Sequence, residues 1–239
     1  MLWVDLRFLS RNWLKTLATT LVAPVLYLLA FGYGLGRGVT VEGYSYLEFV
    51  IPGIIALTAM TTSFNAAGMK LHVDRLFYKC FDEALMAPVS SFALIFGKTL
   101  IGVVRGLLST VALLVACFAF SPLPAVSGLF WLTLVVTCFA FSFLGVLVAL
   151  IAKSHQDMSV FMSLVILPMS FLSGTFFSLN QVPAVLRVAL SLSPLTHTSL
   201  CLRASALGQP FPWWSLAVLV GFGAAFFGLC FVALRRTSS

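Results

Sequence analysis

Apolar residues in this chain fall in long unbroken runs separated by short polar breaks, without the alternation that marks barrel strands. Crossing the hydrocarbon of a bilayer takes roughly 20 apolar residues in a helix. Six runs qualify: about Leu17–Leu35, Phe49–Met69, Phe92–Phe120, Gly128–Ala152, Met158–Leu179 and Trp213–Leu234. In lipid every backbone N–H and C=O must be paired internally, which leaves helices or closed barrels. Unbroken runs select helices. The pattern predicts an all-α integral membrane fold with six transmembrane helices in a single domain over residues 1–239, with no room for a soluble domain.

Two stretches differ from these runs. At about residues 2–14, Leu2, Leu6, Leu9 and Trp13 share one helical face and Arg7 and Arg11 lie opposite, although Val4 and Phe8 interrupt the pattern. This reads either as an N-terminal interfacial helix or as a basic flank that only fixes topology. From Val182 to Leu207 the chain is mildly apolar but broken by Pro183, Arg187, Pro194, His197 and Arg203. A regular spanning helix cannot absorb those residues without penalty. An outer re-entrant or interfacial helical hairpin, at about residues 180–208 between spans five and six, is expected instead.

Composition agrees with a lipid solvent. The chain is 61% hydrophobic and 9% charged, against about 25% charged for soluble domains. With the N-terminus in the cytoplasm, the inner side holds Arg7, Arg11, Lys15, Lys70, Arg75, Lys79, Lys98, Lys153, Arg235 and Arg236. The outer side holds Arg37, Arg187 and Arg203. That asymmetry places both termini in the cytoplasm and favours six spans over five or seven. It also accounts for the net charge of +7 without nucleic acid, because the basic residues are scattered between apolar runs. The first run follows three basic residues, lacks a small-residue cleavage site and reads as a retained span, with a signal anchor as the alternative. Cys80, Cys117, Cys138, Cys201 and Cys230 form no C-x-x-C pair and read as packing residues.

Enzyme chemistry finds little support. Gly97-Lys98-Thr99 resembles the end of a phosphate-binding loop, but Phe92 stands where that motif needs glycine, and its surroundings are apolar helix. His72, His155 and His197 lack metal-ligand spacing. All seven acidic residues lie in connections or at span edges, whereas ion-coupled carriers usually keep ionisable groups at mid-depth. Arg105 alone is a charge inside a span, two helical turns and about 10 Å beyond Lys98. It reads either as a contact for a partner helix or an anionic part of a substrate, or as a side chain snorkelling to the interface. Gly102 and Gly106 have the spacing that lets helices approach closely, as do the glycines between Gly32 and Gly38.

The connection after the second span reads Arg75-Leu76-Phe77-Tyr78-Lys79-Cys80-Phe81-Asp82-Glu83-Ala84-Leu85-Met86-Ala87-Pro88-Val89-Ser90, with Gly97-Lys98 opening the third span. A second motif runs from Ser173-Gly174-Thr175-Phe176-Phe177-Ser178-Leu179 through Asn180, Gln181 and Val182 to Pro183, with Ser193-Pro194-Leu195-Thr196 after it. Together these resemble the permease subunits of type-2 ABC exporters, within which the nodulation-type lipo-oligosaccharide, polysaccharide and drug-export permeases are the most similar. Ser178 stands where that family often has proline.

The resemblance implies a dimer, of this chain with a second copy or a related permease, enclosing a substrate path among membrane lipids. It implies a cytoplasmic ABC ATPase dimer, carrying ATP and Mg, that grips the segment from about residue 70 to 90. This chain would bind no cofactor or metal and have no enzyme activity of its own. The coupling residues implied are Arg75, Lys79, Asp82, Glu83 and Pro88, with Asp157 in a smaller contact from Lys153. Phe64, Asn65, Arg105, Phe176 and Phe177 are the candidate path residues. The expected location is the bacterial cytoplasmic (inner) membrane. An ion-coupled carrier or passive channel without an ATPase is the alternative.

Overall fold

The computed structural model describes residues 2–35, 38–78, 90–118, 126–178 and 183–237. Helix α1 (Leu2–Tyr27) continues into a wider π-type stretch, Leu28–Leu35, that begins four residues past Pro24. Residues 2–14 are continuous, in one helix, with the start of the first apolar run. A small hairpin follows, β1 (Thr40–Val41) against β2 (Tyr44–Ser45), antiparallel with Val41 opposite Tyr44. Its two turn residues, Glu42 and Gly43, both have positive φ, at 53° and 84°. That is the primed turn a two-residue hairpin needs, and hydropathy gave no sign of it.

Helix α2 (Tyr46–Leu76) starts where the Ser45 N–H donates to the Glu48 carboxylate, at 3.0 Å. Next come α3 (Ser91–Phe118), α4 (Gly128–Ile151) and α5 (His155–Phe161). Past α5 a π-type turn, Met162–Ile166, leads into α6 (Leu167–Leu172). There the Leu167 N–H reaches back five residues to Met162 O. Pro168 lies just beyond; having no N–H, it cannot continue the regular ladder. Helices α7 (Ala184–Ser191) and α8 (Pro194–Ala206) occupy the stretch expected to form a hairpin, and α9 (Trp213–Thr237) closes the chain.

Among the described residues, four helices, α2, α3, α4 and α9, are long and apolar enough to cross a membrane, and Lys15–Phe31 is a shorter apolar stretch. Helix α2 is the centre of the bundle and packs against α3, α4 and α8. In its most apolar window 83% of residues are buried, against 11% for α9. Phe49, Ile51, Ile54, Ile55, Met60 and Phe64 of α2 belong to one buried cluster, and Leu71 to a second. Helix α9 instead rests on α4 and presents Trp213, Trp214, Val220, Leu229 and Val232 outward. Tryptophans at a helix end with aliphatic residues along the face suit a lipid boundary.

Helix α8 is polar yet buried, and most of its polar side chains, Ser205 excepted, have a protein partner. Thr196 Oγ1 donates to Leu190 O at 2.7 Å, and Ser199 Oγ to Ser173 O at 3.2 Å. Arg203 donates to Gly174 O at 2.9 Å and Phe49 O at 3.3 Å, with its guanidinium 3.6 Å from the Phe49 ring centroid. The arginine thus ties α8 to the start of α2 and to the Ser-Gly-Thr segment after α6. Four of the five cysteines are buried free thiols, and Cys80 lies outside the described residues.

Candidate functional site

Two regions bear on function: the basic end of the bundle and a pair of cavities along α2. At the basic end, the last turns of α2 meet the start of α3, the end of α4 and the start of α5. Asp74 is 7% exposed and accepts hydrogen bonds from Lys98 at 2.5 Å and Lys70 at 2.9 Å. Lys98, 5% exposed, lies inside α3. The Gly-Lys-Thr run is therefore a helical salt-bridge anchor and not a phosphate loop. The pair joins the two helices that flank the connection between Leu76 and Ser91.

Arg75 donates to Ala149 O at 3.1 Å and to Leu150 O at 2.5 Å. These are carbonyls of the last turn of α4, which lack partners within the helix. A cation there also opposes the negative end of the helix dipole. Arg75, implied above as a contact for an ATPase, here holds the end of α2 against the α4–α5 connection. His72 and His155, distant in sequence, stand with ring centroids 4.6 Å apart. No group of three or more metal-ligating side chains occurs among the described residues.

Asp157 has a local role as well. Its carboxylate accepts from the Lys153 N–H at 2.8 Å and the Ser154 N–H at 3.1 Å, while the Ser154 hydroxyl accepts from the Asp157 N–H at 3.2 Å. This is a capping box at the start of α5. The Lys153 backbone hydrogen bond, then that of the Ser154 hydroxyl, hold its carboxyl below the usual carboxylate range, outweighing desolvation. A depressed carboxyl stabilises the fold above its unfolded pKa, and that contribution is lost as pH falls through the folded value. Ser154→Ala is expected to cost about 1 kcal/mol and to raise amide exchange across α5. Acidification should reproduce the increase only below the usual carboxylate range.

The first cavity, about 320 Å³, is lined by Thr16, Thr19 and Thr20 of α1, Thr61, Thr62, Asn65 and Ala66 of α2, and Arg105 of α3. The second, about 310 Å³, lies between α1, α2 and the α5–α6 stretch and shares Thr20 and Thr61 with the first. Its walls are mostly apolar, from Tyr27, Leu57, Met162, Ile166, Leu167 and Phe171. Phe176 continues that wall in an aromatic cluster, 5.7 Å from Tyr27, 4.5 Å from Phe31 and 5.9 Å from Phe171 between ring centroids. The two adjoining cavities thus grade in character, from polar near Arg105 to aromatic near Phe176.

The structure separates the candidate path residues. Asn65 and Arg105 line the first cavity, and Phe176 borders the second. Phe64 is 0% exposed and stacked on Phe161 at 5.8 Å, a core residue that lines neither cavity. Phe177 is half-buried and also lines neither. Lys79, Asp82, Glu83 and Pro88 lie outside the described residues. Sequence reasoning missed Asp74, whose signal was its spacing of four from Lys70. It also missed the threonines of α1 and α2, which leave a polar facet inside apolar runs. Gly102 and Gly106 face Ser63 of α2 within the chain, so their close approach is spent internally.

The inner membrane transport permease YadH of Escherichia coli (strain K12) is 30% identical over 230 residues, covering 95% of this chain and 90% of that protein. Nodulation protein J of Rhizobium leguminosarum bv. viciae is 32% identical over 211 residues, covering 82% of this chain and 77% of its own length. The corresponding protein of Rhizobium meliloti (strain 1021) is 28% identical over 210 residues, with 82% and 76% covered. Residues 1–207 match the family model described as ABC-2 type transporter. Apolar helices long enough to span and a match over most of the chain converge on one assignment: this chain belongs to the ABC-2 type transporter family, as a membrane-spanning permease subunit.

Proposed function

We propose that this chain is the transmembrane half of an ATP-driven exporter in a bacterial inner membrane. Two copies, or this chain with a related permease, enclose the path, and a separate cytoplasmic ATPase dimer supplies ATP and Mg. In this reading the chain crosses six times with both termini inside, and the basic end faces the ATPase. The observation that carries it is the graded pair of cavities along α2, which suits a substrate with one polar and one apolar part. Homologues named for inner-membrane transport and for nodulation support the class.

ATP binding would close the ATPase dimer and favour one of two permease states, as coupling requires. The connection between α2 and α3 is the natural point of grip, because the Asp74–Lys98 pair and the Arg75 cap pass its displacement into three helices at once. The alternative, ion coupling, lacks a carboxylate in either cavity lining.

The test is co-purification with a cytoplasmic ABC ATPase, followed by a stimulation screen with glycolipids and amphiphilic drugs in liposomes. ATPase stimulation by a transported amphiphile is expected. Gradient-driven uptake without ATP would overturn the reading. Asp82→Lys with Glu83→Lys is expected to abolish substrate-stimulated ATPase activity while membrane insertion stays intact, through lost charge-assisted bonds to the partner.

A further inference from the structure

Arg105 has no carboxylate partner among the described residues, and its Nε is buried without an acceptor. Lys98, about 10 Å away along the same helix at 1.5 Å per residue, is already neutralised by Asp74. An unpaired cation well inside a span is costly unless something anionic meets it. Two more donors line the same cavity without a hydrogen bond among the described residues, the Asn65 amide and the Thr62 hydroxyl. One planar cationic donor with two neutral donors is the complement of an oxyanion with several acceptor oxygens.

The neighbouring cavity, joined at Thr20 and Thr61, offers an apolar wall from Leu57, Met162, Ile166 and Phe171. Taking the exporter reading as its basis, we infer that the substrate is an anionic amphiphile. Its phosphate, sulfate or carboxylate is held by Arg105, Asn65 and Thr62, and its apolar part lies in the second cavity. A neutral glycan or a cationic drug would leave the Arg105 charge unmet. A free oxyanion would leave the apolar cavity unused.

The purified permease in phosphatidylcholine nanodiscs tests this with fluorescent short-chain phosphatidic acid, phosphatidylcholine of the same chain and label, and inorganic phosphate as competitor. Phosphatidic acid is expected to bind about tenfold more tightly than phosphatidylcholine, the scale of one charged hydrogen-bond partner. Arg105→Gln should erase that preference, Arg105→Lys should keep part of it, and Asn65→Leu should weaken it severalfold. Equal binding of the two lipids, or a preference that survives Arg105→Gln, overturns the inference. So does displacement by inorganic phosphate as effective as by unlabelled phosphatidic acid, which would mark a free-anion site.

Should Arg105→Gln fail to fold, photolabelling of the wild-type chain by azido-phosphatidic acid decides the matter. Label within residues 16–20 or 61–66 supports the site, and label confined to α9 overturns it. The binding measurement needs neither ATP nor an ATPase, so failure of the exporter reading would register separately, in the stimulation assay.

Discussion

Asp74→Asn is expected to destabilise the protein by about 3 kcal/mol, the low end for removing one partner of a buried ion pair. The carboxylate serves two lysines, but unequally. The Lys70 side chain is 37% exposed, so its bond to Asp74 is screened and worth little. Lys98 is buried, and without Asp74 its ammonium sits between α2 and α3 with no other counter-charge among the described residues. The order Asp74→Asn worse than Lys98→Met, worse than Lys70→Met, should appear in chemical unfolding of the detergent-solubilised permease. Lys70→Met should cost under about 0.5 kcal/mol.

The double change Asp74→Leu with Lys98→Met should recover most of the loss, because an apolar pair replaces a buried ionic one at little cost. A double variant less stable than the sum of its parts would refute the account. Coupling should not recover with stability. The apolar pair restores packing but removes the directional link between the helices on either side of the α2–α3 connection. Substrate-stimulated ATPase activity is therefore expected to stay low in the double variant.

How much of this was legible in the sequence depends on what each feature rests on. Helices α2, α3, α4 and α9 were legible because an apolar run of that length has few other solutions in lipid. The end of α2 was not, since the helix continues past Met69 to Leu76 on the strength of partners supplied by α3 and α4. The fifth run was read as one span to Leu179, whereas helix α6 ends at Leu172 after a wide turn beside Pro168. Hydropathy counts proline as nearly neutral and does not register its missing N–H. In the site, Arg105 and Asn65 stood out because a charge or an amide inside an apolar run is anomalous by itself. Phe64 carried no such mark, and an aromatic in a path looks the same in sequence as an aromatic in a core. Asp74 with Lys98 and His72 with His155 depend on which helices pack, and one sequence does not contain that information.

The second large effect concerns the crossing of α2 and α4, and it separates two glycines that sequence treats alike. Gly145→Ala is expected to destabilise by about 1–3 kcal/mol, the usual cost of overpacking, while Gly223→Ala is expected to be neutral or stabilising by up to about 1 kcal/mol. The gain in helix propensity from glycine to alanine is the same at both, about 1 kcal/mol. What differs is the space available. A Cβ on Gly145 would stand 2.5 Å from Phe64 O and 3.1 Å from Gly68 N, both backbone atoms with no rotamer to yield. At Gly223 the nearest atom is Ala140 Cβ at 3.5 Å, an ordinary contact. Relief at Gly145 therefore requires α2 and α4 to move apart along the most buried crossing in the bundle, and Gly145→Leu should leave no folded permease. The displaced carbonyl belongs to Phe64, adjacent to Asn65 in the cavity wall. Gly145→Ala should consequently weaken phosphatidic acid binding even in the fraction that remains folded, whereas Gly223→Ala should leave it unchanged. Melting midpoints paired with nanodisc binding read both effects, and equal behaviour of the two alanine variants would show that helix contact does not set the geometry of the path.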